Sequence, residues 1–304
     1  MIGEALLDVV ELGDDEPRLA RPGGSPYNVA LGLARLGQSV SFVGRLSRDP
    51  LGTILRSHAQ RSGVDLSLAL DTDDPTTVAL VELDGTGSAQ YRFGVTGTAD
   101  FRWTHEELAR LPSGLGAVHF GSLASWLPPG AAAITGRIAA LRAGGALITY
   151  DPNVRPLLQP DRAGARAAVE AAVALAHLVK TSEEDLDWVR PGEPIEDVAA
   201  DWLARGPAAV VVTRGGAGSI TVTSAGVLAR PAVPVRIVDT VGAGDAFMSG
   251  LLDSLARRGL LTPGEIVTAP YADVLDDAAL IAAITCSRAG ANPPRREDLA
   301  SFRA

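Results

Sequence analysis

The amino-acid sequence predicts an α/β protein: a three-layer sandwich with a mostly parallel central sheet, helices on both faces and a small β lid. Three observations carry this prediction. Short apolar, β-rich runs alternate with amphipathic stretches along the chain. One pair of runs breaks the alternation and reads as a hairpin. The 304 residues suffice to bury a core without covalent staples, and the chain holds a single cysteine, Cys286.

In chain order, Leu6 to Glu11 is a first β-rich stretch. Ser39 to Val43, Ala117 to Phe120, Ala146 to Tyr150 and Ala208 to Thr213 read as buried strands, each bounded by Gly, Pro or polar residues. Val169, Ala172, Val173 and Ala176 recur at helical spacing. Strands separated by such helices imply βαβ units, hence a parallel sheet covered on both sides. Thr77 to Leu83 and Ala89 to Phe93 flank the polar turn Asp84 to Ser88, a hairpin that could join Leu6 to Glu11 in a small projecting sheet. Ser219 to Thr223 and Val235 to Val238 are further strand candidates, the latter after Pro231 and Pro234. The expected organisation is one domain, 1–304, with the lid drawn from about 6–20 and 74–102.

Composition narrows the function classes. Net charge is −9 with no basic block, which disfavours nucleic acid and anionic membrane as partners. One cysteine excludes an intrachain disulfide framework and suits a reducing, cytoplasmic setting. No apolar run approaches a membrane span, and no secretory leader is visible. Arg, Ala and Gly are abundant, while Lys180 is the one lysine. The four histidines, 58, 105, 119 and 177, lack metal-ligand spacing, and His119 on an apolar strand reads as a packed residue.

The most informative stretch is Val238 to Phe247, expected as a strand, a small-residue turn and an apolar helix. Gly242, Ala243 and Gly244 let backbone N–H groups converge, and the following helix adds its positive end. Asp245, in the first turn, is placed to take a proton beside that hole, a pairing suited to phosphoryl transfer to an alcohol. The same residues could equally be a plain glycine turn capped by Asp. Phe247 stands where a dinucleotide fingerprint would need its third glycine. Near the start, Gly23 and Gly24 lead into a helix carrying Asn28, whose amide suits a sugar hydroxyl or merely caps the helix. Asp8, expected at the end of the first strand, could accept from two vicinal hydroxyls or face solvent. Asn153 follows the Tyr150 strand, where ligands collect in open α/β sheets. Lys180 to Asp185 ends another strand; its acids could hold Mg²⁺ through water, or Ser182 and Asp185 could form a capping box. Thr213, Gly215 and Gly218 could cradle a nucleotide or form an ordinary turn.

Taken in order, these motifs resemble the ribokinase-like carbohydrate kinases, most closely their bacterial fructokinase branch. The likeness includes Gly3-Glu4 with Asp8, Gly23-Gly24 with Asn28, and Phe42 to Arg45 with Asp49 and Gly52. It continues through His119 to Ser122, Asp151 to Pro156, Lys180, Thr213 with Gly215 and Gly218, Asp239 to Asp245, and Cys286 to Ala291. The resemblance implies Asp245 as catalytic base and Gly242, Ala243 and Gly244 as anion hole. It implies Asp8, Gly23, Gly24, Asn28, Asn153 and Arg155 as sugar contacts. Lys180, Ser182, Thr213, Gly215, Gly218 and Gly244 are the implied ATP contacts. ATP and Mg²⁺ are the implied cofactors, with Mg²⁺ near Asp185. K⁺ would lie near Asp239, Val241, Thr285 and Gly290. Four residues depart from the pattern: Ser47 replaces a glycine, Ser182 and Asp185 replace Asn and Glu, and Pro294 stands near a cation-binding serine.

The reading is therefore transfer of the ATP γ-phosphate to a sugar hydroxymethyl group, most closely that of fructose. 2-Keto-3-deoxygluconate, ribose or a nucleoside are the alternative acceptors. A non-catalytic sugar or nucleotide sensor is the rival of another class, and a homodimer through the lid is the expected assembly.

Overall fold

The computed structural model describes residues 1–11, 19–83, 89–159 and 161–302. The first third contains β1 (Leu6–Glu11), β2 (Leu19–Gly23), α1 (Ser25–Arg35), β3 (Arg45–Ser47), α2 (Pro50–Arg61), β4 (Leu70–Thr72), β5 (Val78–Leu83) and β6 (Ala89–Gly94). The middle holds α3 (His105–Ala109), β7 (Ala117–Gly121), α4 (Ala131–Ala143), β8 (Leu147–Asp151), α5 (Arg162–Leu175), β9 (Leu178–Ser182), α6 (Glu183–Val189) and α7 (Ile195–Ala204). The last part holds β10 (Ala209–Thr213), β11 (Ser219–Thr223), β12 (Gly226–Arg230), α8 (Ala243–Arg257), α9 (Tyr271–Cys286) and α10 (Asp298–Phe302).

Six strands form the central sheet in the order β12-β11-β10-β9-β8-β7. β7 to β10 are mutually parallel, and β11 and β12 add an antiparallel edge. Neighbouring residues on a strand face opposite sides, so each buried strand feeds two cores. Ile148, Val179 and Val210 join Ile138, Val169 and Trp202 of α4, α5 and α7 on one face. Leu147, Leu178 and Val211 join Leu31, Met248 and Leu275 of α1, α8 and α9 on the other. Each fully buried side chain of this kind contributes about 1.5–3 kcal/mol. The sandwich follows from two apolar faces needing two helical covers.

The second sheet has the order β2-β1-β5-β6, with β1 antiparallel to β2 and parallel to β5. The expected hairpin is β5 and β6, and the turn at Asp84 to Ser88 lies outside the described residues. β2 was not anticipated. Its Pro22 lacks an N–H, which suits the edge position that β2 holds.

Three expectations need correction. Ser39 to Val43 is no continuous strand; it runs along the sheet margin through isolated bridges, Val43 to Ile2 and Ser41 to Asp65. Phe42 and Val43 are buried all the same, so the apolar run reflected burial without a full ladder. Val235 to Val238 is also not a strand. Pro231 and Pro234 remove two donors, and Val238 and Asp239 instead donate their N–H groups to Cys286 O at 2.8 and 3.2 Å. Asp8 lies inside β1, opposite Arg21 and Ala79, and does not end it. The N-terminal strand signal was displaced because Ile2 makes only single bridges to Val43 and Phe120.

One buried acid yields a stability prediction. Asp100, 1% exposed, accepts the Ala5 N–H at 2.9 Å through one oxygen, while the other has no partner among the described residues. Burial pushes its pKa up to about 7, against the opposing Thr77 hydroxyl and Ala5 N–H. A raised carboxylate pKa favours the fold at low pH and withdraws that support as pH rises through it. Asn cannot ionise, so Asp100→Asn should match the wild type at pH 4. At pH 8 it should be more stable by on the order of 1–4 kcal/mol. Denaturant melts at both pH values check this; equal midpoints at pH 8 would refute it.

Candidate active site

Three parallel strands end at one edge of the central sheet with polar residues: Asp151 on β8, Ser182 on β9 and Thr213 on β10. The N-termini of α1 and α8 arrive at the same edge, where open α/β sheets gather ligands.

Small residues bring these two helices together. A Cβ at Gly32 of α1 would lie 2.4 Å from the Ser249 hydroxyl of α8, so the crossing tolerates nothing larger. Ser25, Asn28 and Gly32 share one helical face, as do Asp245 and Ser249. The crossing at Gly32 therefore delivers Ser25 and Asn28 onto Asp245. The Ser25 hydroxyl donates to one Asp245 oxygen at 2.7 Å, and Asn28 Nδ2 donates to the other at 2.8 Å. Gly24, which caps α1, has φ +105° and packs against the Glu4 carbonyl, where a Cβ would sit 2.5 Å from oxygen. Gly242 begins α8 in the left-handed region at φ +75° against Ala291.

Burial raises the Asp245 pKa, while the hydrogen bonds from Ser25 and Asn28 and the charge of Lys180 hold it down. Asn28 Oδ1 is buried with no partner among the described residues, an acceptor left open beside the carboxylate. Asp8 borders the same space. Burial pushes its pKa up to about 6, Arg155 opposes and the charge of Asp245 adds. Gly23 makes room for it, since a Cβ there would lie 2.5 Å from Asp8 Oδ2. Arg155 is exposed, and Asn153 adopts φ +40° and donates Nδ2 to the Ser122 hydroxyl at 3.1 Å.

On the other side, Lys180 Nζ donates to Asp151 Oδ2 at 2.8 Å, both side chains being at most 5% exposed. A Cβ on Gly244 would lie 2.9 Å from that nitrogen, so the ammonium abuts the head of α8. Thr213 donates its hydroxyl to Thr181 O at 3.2 Å. Gly215 opens onto free space, whereas Gly218 packs on the Arg230 carbonyl, which accounts for a glycine there without a ligand. His119 is packed at 1% exposure, 3.0 Å from the Thr149 hydroxyl, and burial pushes its pKa down to about 3.

Among the described residues, no group of three or more His, Cys, Asp or Glu side chains could hold a metal ion. Ser182 and Asp185 form the capping box of α6, and the two Asp185 oxygens accept the N–H groups of Val154 and Ser182. Each Asp185 oxygen thus accepts one backbone N–H and keeps a further lone pair, which a Mg²⁺-bound water could use. Around Asp239, both oxygens accept N–H groups, from Val241 at 3.0 Å and Gly290 at 2.7 Å. The Arg21 guanidinium stands 3.7 Å away, and the Thr285 carbonyl accepts from Arg288. Each of these oxygens keeps a further lone pair, so the donors present are oxygens of the kind a K⁺ takes, with the Arg21 charge beside them.

Ser25 escaped the sequence reading, and the contacts of Asp151 and Glu4, both within motifs quoted above, did not follow from it. Ser25 lies between the paired glycine and Asn28 but carried no separate signal. Asp151 was visible at a strand end, yet only its proximity in space to Lys180 singles it out. Glu4, 1% exposed, accepts the N–H groups of Ser25 and Ala124 at 3.3 and 3.1 Å, tying α1 to the loop after β7.

A profile described as pfkB family carbohydrate kinase matches residues 9–298. A fructokinase of Salmonella typhimurium is 36% identical over 265 residues, covering 86% of this chain and 85% of that protein. Among solved structures, a Xylella fastidiosa fructokinase with bound ATP superposes with a TM-score of 0.90 at 27% identity, covering 99% of this chain and 96% of that one. An aminoimidazole riboside kinase from Salmonella enterica, complexed with aminoimidazole riboside and an ATP analogue, gives 0.86 at 27%, covering 100% and 98%. Described by sequence, by fold and by the helix pair that frames Asp245, the chain belongs to the pfkB family of carbohydrate kinases.

Proposed function

We propose that this protein is an ATP-dependent fructokinase that uses Asp245 as general base. The observation that supports this best is the Asp245 carboxylate at the head of α8, both oxygens held by donors from the helix that follows the paired glycine. A sugar hydroxyl entering between Asp8 and Asn28 meets two acceptors, the Asp8 carboxylate and the open Asn28 Oδ1. Its oxygen forms a bond to the γ-phosphorus as the bond from that phosphorus to the β–γ bridging oxygen breaks. The electron pair leaves with ADP, and the hydroxyl proton passes to Asp245. The backbone N–H groups of Gly242 and Gly244 and the positive end of α8 face the charge that develops on the phosphoryl oxygens, whereas the Ala243 N–H is turned to Thr240 O at 3.1 Å. The raised pKa of Asp245 brings its basicity nearer to neutrality, where general bases are most effective. Asn153 has its amide committed to Ser122 and reads as a loop-shaping residue, while Arg155 remains available to solvent-side ligand groups.

The acceptor is expected to be fructose, because curated relatives at 32–36% identity carry that name. The resemblance to a riboside kinase makes a nucleoside the acceptor to test against. A site built to pair hydroxyls rejects an analogue that leaves its polar groups unpaired, so discrimination should appear in kcat/KM. Coupled ADP release with fructose, ribose, 2-keto-3-deoxygluconate and a nucleoside, at fixed ATP and Mg²⁺, should rank fructose first. Another acceptor equalling it overturns the fructose assignment, and no sugar-dependent ADP release at all favours the sensor.

A further inference from the structure

We infer that Ser25 is a positioning residue for the base: its hydroxyl holds Asp245 as a carboxylate before transfer and turns to accept from the carboxylic acid afterwards. The inference rests on the kinase reading and deepens it, giving a role at that site to a residue the motifs did not single out.

The placement of Ser25 is tightly constrained. It opens α1 directly after Gly24, is 5% exposed, and donates its N–H to Glu4 Oε1 at 3.3 Å. Glu4 Oε2 accepts the Ala124 N–H at 3.1 Å, so the carboxylate that fixes the Ser25 backbone is itself anchored. A serine at a helix start commonly turns its hydroxyl back onto its own helix as a cap. Here α1 has no side-chain cap, and the Ser25 hydroxyl reaches across to α8 and donates to Asp245 Oδ1 at 2.7 Å.

The two donors on Asp245 differ in what they can do next. Asn28 Nδ2, on Oδ2 at 2.8 Å, can only donate. A hydroxyl donates or accepts, and it reverses by rotation about one bond. The proton released by the sugar hydroxyl is therefore best received on Oδ1. That oxygen then carries an O–H beside a partner able to accept, while Oδ2 stays a carbonyl oxygen held by Asn28. The sugar O–H bond breaks, its electron pair goes into the new bond to phosphorus, and the proton remains on Asp245.

The charges around the carboxylate leave this task to Ser25. Burial raises the Asp245 pKa most, and the Ser25 hydrogen bond is the largest opposing contact, ahead of Asn28. Lys180 of β9 also favours the carboxylate, and Asp151 of β8 disfavours it. Asp8 of β1 feels the Asp245 charge across the cleft. Removing the serine hydroxyl alone leaves all of these groups in place.

The test measures kcat against pH in the wild type, Ser25→Ala and Ser25→Thr, at saturating sugar so that the titration of Asp8 stays in KM. In Ser25→Ala the acid limb should move to higher pH by about one unit. Below the limb kcat should fall about tenfold, and above it about threefold or less. Ser25→Thr keeps a hydroxyl and should restore the limb. If Ser25→Ala fails to fold, Ser25→Cys carries the same readout, with a smaller upward shift because a thiol is a weaker donor. An acid limb unmoved in Ser25→Ala would overturn the role, whether kcat is unchanged or lowered equally at every pH; an equal loss is the mark of a purely structural serine. Carboxyl ¹³C NMR, with the Asp245 resonance assigned by its absence in Asp245→Asn, should show the same upward displacement of the titration. That measurement needs no sugar, so it judges Ser25 even if every acceptor fails; a fully active Asp245→Asn would instead sink the base reading itself.

Discussion

Asp245→Asn should lower kcat by about 10²–10⁴-fold while leaving sugar affinity nearly unchanged. The substitution keeps size and removes only the ability to accept a proton. Ser25 and Asn28 each donate to one carboxylate oxygen, so an amide disturbs one of the two contacts. The serine hydroxyl can turn to accept, which limits the structural cost. Steady-state kinetics with calorimetry for the sugar separates the two effects. A variant that retains near-normal kcat removes Asp245 from the base role.

Asp8→Ala should weaken sugar binding by about 1.5–3 kcal/mol, or about 10–150-fold in Kd, with little change for nucleotide. Asp8 sits in the four-stranded sheet, with room made by Gly23. Its pKa of about 6 adds a pH signature, caused first by burial, then countered by Arg155 and raised again by Asp245. Above that value the group is a carboxylate able to accept two hydroxyl protons. As pH falls through about 6 it becomes an acid and one acceptor is lost. Wild-type sugar affinity should therefore decline between pH 7.5 and 5, and the Asp8→Ala variant should lose that dependence. For fold stability the sign is opposite: the raised pKa favours the fold at low pH and costs stability as pH rises through about 6. An ATP-specific defect would place the sugar on the other side of Asp245.

The sequence carried the fold wherever burial and periodicity agreed. β7, β8 and β10 are buried along nearly their whole length, and all three are where their apolar runs predict. Legibility failed where apolar character had another cause. Val235 to Val238 is β-rich in composition, yet Ile237 and Val238 are 66% and 59% exposed, and prolines keep the segment out of any ladder. At the site, Asp245, Asn28 and Asp8 were legible because each stands beside glycines or at a chemically odd position. Ser25 was not, and Asp151 was visible only as a strand-end acid, since their roles depend on which helix crosses which strand. The capping box at Ser182 and Asp185 was legible as an alternative and is formed, with Asp185 accepting from Val154 and Ser182.

The crossing of α1 and α8 at Gly32 and Ser249 constrains how this enzyme can diversify. Every residue of α1 from Ser25 to Leu33 is buried, so the helix that presents Asn28 is also a structural member of the core. Tyr27, the immediate neighbour of Asn28, donates its hydroxyl to Leu55 O and packs edge-on to Phe42. A lineage exploring new acceptors therefore has no freedom to slide or rotate this helix, because any register shift would unseat the tyrosine as well. Change on the opposing wall is freer at β2, an edge strand, than at β1, whose Leu6 and Leu7 are buried. Acceptor choice can drift on that wall while the groups that move the proton stay put.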